Sequence, residues 1–105
     1  MQKTEPMPKI YEYFGFVFFF YALEHEPIHV HVMKGGCGTV FNIILENGEL
    51  KRLEQRSAKM TPMSQKDTKV AEEFVRHYYK NIVNKWINFF IYKKAIRSTK
   101  ITKKL

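Results

Sequence analysis

The sequence predicts an α+β fold with the strands first and the helix last. Three observations predict it. The first half is rich in aromatic and β-branched residues, the middle is punctuated by Gly-Gly and Asn-Gly, and the second half repeats its apolar residues every three to four positions. The expected architecture is an antiparallel sheet of four to five strands over residues ~9–56. A long C-terminal helix over ~65–92 covers one face of it, and a basic tail follows. A chain of 105 residues holds one core. Residues 1–92 therefore read as a single domain, with 1–7 a loose leader and 93–105 a tail.

Composition narrows the class. With 45% hydrophobic and 27% charged residues the body is globular rather than disordered. One cysteine excludes a disulfide scaffold. The longest apolar run, Tyr13 to Leu23, is 11 residues. A membrane-spanning helix needs roughly 18 or more. No secretory signal pattern stands at the start, so the expectation is a cytoplasmic protein with no membrane partner.

The strands follow in order. Ile10 to Tyr21 is an aromatic run suited to strands buried on both faces, and Gly15 marks a turn or a bulge within it. Ile28 to Lys34 alternates, with Ile28, Val30 and Val32 on one face and His29, His31 and Met33 on the other. Gly35-Gly36-Cys37-Gly38 supplies a turn. Val40 to Glu46 is the next strand, and Asn47-Gly48 carries the strongest short hairpin signal. Its partner runs from Leu50 to Leu53 and on toward Arg56. The period then changes. Val70, Phe74, Tyr78, Ile82, Trp86 and Phe90 recur every four residues, with Ala71, Val75, Tyr79, Val83 and Ile87 one position on. Together they form a wide helical stripe. Ser64 with Asp67 three residues later reads as its N-terminal cap.

The net charge of +8 is uneven. Lys93, Lys94, Arg97, Lys100, Lys103 and Lys104 fall in residues 93–105 with no acid among them, whereas residues 1–92 hold 12 basic and 10 acidic side chains. Such a segment either binds phosphate backbones or keeps an aromatic-rich chain soluble. Lys51, Arg52 and Arg56 form a second basic group on the last strand of the sheet. Lys51, Arg52, Arg56, Lys93, Lys94, Arg97 and Lys100 are thus the candidate nucleic-acid-binding residues.

Candidate chemistry concentrates in Glu24-His25-Glu26-Pro27-Ile28-His29-Val30-His31. His29 and His31, two apart on a strand, project from one face. Histidine titrates near neutral pH, so His29, His31 and His25 are candidate general acids and bases for phosphodiester cleavage. The same pair could chelate a divalent metal with His25, Glu24 or Glu26 as third ligand. The structural alternative is that the imidazoles brace the sheet. Cys37 between glycines has no activating neighbour in sequence. The sequence identifies neither a cofactor nor whether the chain is an enzyme.

Met7-Pro8-Lys9-Ile10, Phe14-Gly15, the His25-Glu26-Pro27-Ile28-His29-Val30-His31 segment and the late Trp86 resemble the small bacterial Domain of Unknown Function 4160 family. The family signature is His-x-Pro-Pro-His-hydrophobic-His. His25, Pro27, His29 and His31 fall on it, Ile28 stands in place of its second proline, and the tail after Tyr92 lies outside the likeness. The resemblance implies a cytoplasmic bacterial protein partnered by a small protein encoded by a neighbouring gene, in a toxin–antitoxin-like arrangement. It also implies that Met7 is the ancestral start.

The expected function is therefore a toxin–antitoxin-type component that binds or cleaves RNA through the His-x-Pro-x-His-x-His cluster. The alternatives are a non-enzymatic regulatory module that binds DNA or protein, and a divalent-metal-binding protein using the same histidines.

Overall fold

The computed structural model describes residues 7–21 and 27–105. Five strands form an antiparallel meander: β1 (Lys9–Tyr13), β2 (Phe16–Phe19), β3 (His29–Lys34), β4 (Cys37–Glu46) and β5 (Glu49–Ser57). β6 (Thr61–Pro62) pairs parallel to the start of β4, and α1 (Gln65–Trp86) runs on into a π-helical turn over Ile87–Ile91. β7 (Thr99–Ile101) then adds parallel to β1, giving the order β5-β4-β3-β2-β1-β7.

The α+β class and the covering helix match the sequence reading, but the strand count does not: among the described residues the sheet has seven strands, not four to five. The five antiparallel strands are those expected. The two extra ones are short and parallel, so neither carries the alternation or hairpin turn that betrays a strand in sequence. One of them comes from the basic segment.

Three two-residue turns set the register. Phe14-Gly15 and Asn47-Gly48 each have two successive positive φ values, 46° and 86°, then 53° and 80°. This is the type I′ pattern, whose twist matches that of the flanking strands. Gly35-Gly36 joins Lys34 to Cys37. Gly38 is not part of that turn. It lies within β4, where a Cβ would meet Met60 Sδ at 2.4 Å and the Val32 carbonyl oxygen at 3.1 Å.

Because side chains alternate along each strand, the register sorts the sheet into two faces. Tyr11, Tyr13, Phe16, Phe18, Val30, Val32, Phe41 and Ile43 face the helix and join its buried residues Ala71, Phe74, Val75, Ile82 and Trp86 in one core. Phe74 is the centre of the contact, stacked on Phe18 at 4.3 Å and touching Tyr11 and Tyr13 at 5.4 and 4.8 Å. Ser64 caps the helix by accepting the Asp67 N–H at 3.1 Å, as its sequence position indicates. Among the described residues, no helix is long and apolar enough to cross a membrane.

Candidate functional site: a histidine pair and a basic sheet edge

His29 and His31 project from β3 on the face away from the helix. Cross-strand neighbours place Phe19 beside His31, with Val40 and then Arg56 beyond it; Asn42 and Glu54 continue the row from His29. Both imidazoles are buried, at 1% and 4% exposure. Their ring centroids lie 5.1 Å apart, edge to face. Phe19 stacks on His31 at 5.4 Å and Tyr21 meets its edge at 4.1 Å. The histidines are thus part of an aromatic layer on the second face of the sheet.

One hydrogen bond fixes a tautomer. His29 Nδ1 lies 2.5 Å from the Pro27 carbonyl oxygen. A carbonyl only accepts, so Nδ1 carries the hydrogen and a neutral ring holds its lone pair on Nε2. Pro27, two residues upstream, thereby orients the ring as well as fixing its own φ. His25, Glu24 and Glu26, the other members of the sequence cluster, lie outside the described residues. Among the described residues no third His, Cys, Asp or Glu completes a metal-ligating group with the pair.

The cations divide between the two edges of the sheet. At the β5 edge each candidate has a partner. Lys51 pairs with Glu46 at 3.1 Å and Arg52 with Glu54 at 2.8 Å, while Arg56 Nε donates to Asn42 Oδ1 at 3.0 Å. Arg52 and Arg56 share the histidines' face; Lys51 sits at a register shift between its neighbours.

At the opposite edge, residues 93–105 are folded onto the sheet. Lys93 takes φ +55°, and the Lys94 N–H returns to the Asn88 carbonyl at 2.9 Å, which closes the helix end. Thr99, Lys100 and Ile101 then pair with Tyr11, Glu12 and Tyr13. Lys85 anchors this strand. Its ammonium donates to the Arg97 carbonyl at 2.6 Å, the Ile10 carbonyl at 3.2 Å and Thr99 Oγ1 at 3.3 Å, and it sits 4.7 Å above the Tyr11 ring. Burial lowers the Lys85 pKa from its ordinary value. Burial, and secondarily the neighbouring Tyr78, raises that of Tyr11. Lys93, Lys94, Arg97, Lys100, Lys103 and Lys104 are all exposed, and none forms an ion pair among the described residues.

The structure therefore brings together His29, His31, Asn42, Arg52 and Arg56 on one face. It does not bring Lys93, Lys94, Arg97 or Lys100 to that face's β5 side. Five inter-strand steps separate the two sheet edges, about 24 Å at the usual spacing. Phe14, 48% exposed at the tip of the β1–β2 turn beneath the Lys104 ammonium, was not a sequence candidate. Its signal in sequence was an aromatic residue preceding a turn glycine, where a small polar residue is usual.

Residues 15–87 match the model of the family described as Domain of unknown function (DUF4160), and the chain belongs to that family. No curated protein and no solved structure matches it.

Proposed function

We propose that this DUF4160 member is the RNA-binding component of a cytoplasmic two-gene module of the toxin–antitoxin type, working with a small protein encoded by a neighbouring gene. One observation carries the RNA reading. An acid-free segment with six cations is laid along a sheet edge by strand pairing and by Lys85, with every one of those cations facing solvent. Lys100 lies in β7 itself and the other five flank it in the segment that β7 ties to the sheet. They present phosphate-binding charge without first ordering a flexible tail, so less entropy is lost on binding. The neighbour-gene partner rests on the family resemblance alone. In this reading His29 and His31 brace the second face of the sheet, consistent with their burial.

Two measurements test it. The full chain should bind a labelled oligouridylate at low salt and release it steeply as salt rises; no binding at low ionic strength removes the RNA reading. Expressed alone, the protein should arrest growth, and co-expression of the neighbouring gene should relieve the arrest. Indifference to the neighbour would remove the module reading.

A second reading, RNA cleavage by the histidine pair, draws on the two imidazoles that β3 sets 5.1 Å apart on one face. It requires that each of His29→Gln and His31→Gln abolish cleavage in a protein that stays folded. The double variant should then be little worse than either single one. RNA left intact by the wild-type protein retires it.

A further inference from the structure

We propose that the ring of Phe14 is a stacking platform for an unpaired base, which makes single-stranded RNA the preferred form of the ligand. The inference rests on the RNA-binding reading above and goes on to say how the strand is held.

The turn itself does not call for phenylalanine. Phe14 occupies the first central position of a type I′ turn at φ +46°, a backbone region that bulky side chains rarely adopt. The same chain solves the same problem at β4–β5 with Asn47, at φ +53°, followed likewise by glycine. Nor does the core call for it, since the ring is 48% exposed. A costly backbone conformation that holds an apolar ring out in water is explained by what the ring meets there.

The surroundings suit a nucleotide. Tyr13 meets the Phe14 ring edge to face at 5.0 Å and fixes its tilt. The Lys104 ammonium stands 5.4 Å from the ring centroid. The C-terminal residues are held at this corner because the Leu105 N–H donates to the Tyr13 hydroxyl at 3.3 Å. Lys34, the other cation near the turn, is taken by Asp67 at 3.2 Å and lies over Phe16. A base sliding over Phe14 moves the exposed Lys104 ammonium off the ring and toward the phosphate that the base carries. Rings with adjacent cations are how single strands are held without sequence readout, since every base has a π face. A duplex keeps its bases stacked inside and offers only phosphates to the same lysines.

The test uses the full chain with a labelled oligouridylate and an RNA duplex of equal length. Phe14→Asn creates the Asn-Gly pair that the turn prefers, so its Tm should equal or exceed the wild-type value. Its affinity for the single strand should nonetheless fall at least about fivefold. Duplex affinity should stay unchanged, and Phe14→Trp should restore single-strand binding. A 2-aminopurine base in the oligonucleotide should have its fluorescence altered by the wild-type ring and not by Phe14→Asn. Wild-type affinity of Phe14→Asn for the single strand would overturn the stacking proposal and leave the RNA reading standing. Failure of the wild-type chain to bind either RNA would overturn both. Equal losses for single strand and duplex would show that Phe14 acts only by placing Lys104, which also overturns it.

Discussion

Gly38 lies within β4, packed between Met60 and the backbone of the neighbouring strand. Three glycines in four positions read as one turn, yet only Gly35-Gly36 turns the chain, and Gly35 takes the positive φ of 61°. Gly38 is a strand residue kept small by Met60 and by the Val32 carbonyl, 3.1 Å from any Cβ placed there. The carbonyl belongs to the neighbouring strand and cannot move without breaking the ladder, whereas the Met60 side chain can shift. Gly38→Ala should therefore destabilise the fold by about 1–3 kcal/mol, the usual cost of overpacking. Denaturant unfolding would measure it, and an unchanged midpoint would show that Met60 moves aside at no cost. His29 and His31 are the opposite case. Their common face follows from a period of two. Their burial does not, because it depends on what packs over the strand rather than on the strand itself. Phe14 is masked for a related reason: within the aromatic run from Ile10 to Tyr21 it is one ring among many, and only the I′ geometry of its turn sets it apart.

At the level of elements, legibility followed pattern strength. α1 was readable throughout, because its stripe, its Ser64 cap and its lack of internal glycine or proline all agree. The meander was readable through its alternation and its Asn-Gly turn. β7 was not, since Thr99-Lys100-Ile101 carries one apolar residue and is selected by pairing with β1 and by Lys85 from the helix. That tertiary origin gives the edge a pH signature. Tyr11 lies under Lys85 and is buried, and its pKa is raised above 10.0. Between that value and the raised one, the unfolded chain has lost the phenolic proton while the folded chain keeps it. Stability contributed by neutral Tyr11 is thus complete below about pH 10 and is lost as pH rises through the folded pKa. Lys85, lowered from 10.5, works in the opposite sense: the unfolded chain holds its proton longer, so stability rises with pH up to that point. Tyr11→Phe removes the first contribution and leaves the second. Melting curves from pH 9 to 11 should show the variant losing less stability than the wild type above about pH 10. Parallel curves would mean that Tyr11 is free to ionise in place. Trp86 tests the docking of the helix itself. It is 7% exposed and 5.0 Å from Phe90, so Trp86→Ala should cost on the order of 3–5 kcal/mol, read as a lowered denaturation midpoint.

Over the whole molecule, the net charge of +8 is less informative than where it sits. The sequence showed two basic groups, and both were candidate phosphate sites. It could not show that they lie on opposite edges of one sheet, because strand order is set by pairing and not by position along the chain. The separation of about 24 Å exceeds the Debye length of about 8 Å at physiological salt, so the two groups act independently. They also differ in kind. Lys51 and Arg52 are paired at the surface with Glu46 and Glu54, whereas residues 93–105 contain no acid. Among the described residues the Arg56 guanidinium bonds only the neutral Asn42 amide, so the β5 edge keeps one cation without an acidic partner, against six along the β7 edge. For single strands each phosphate contact contributes about −0.7 to the slope of log affinity against log salt. Lys100→Gln/Lys103→Gln/Lys104→Gln should accordingly reduce the magnitude of that slope by about 2 on an oligouridylate. Lys51→Gln/Arg52→Gln/Arg56→Gln should reduce it by less than half as much, because two of those three cations already face a carboxylate, although both triples remove the same formal charge. If the two triples flattened the slope equally, net charge alone would govern binding and the folded edge would have no special part. If the β5 triple flattened it more, the interface would belong on the histidine face, beside Asn42 and Arg56, rather than along β7.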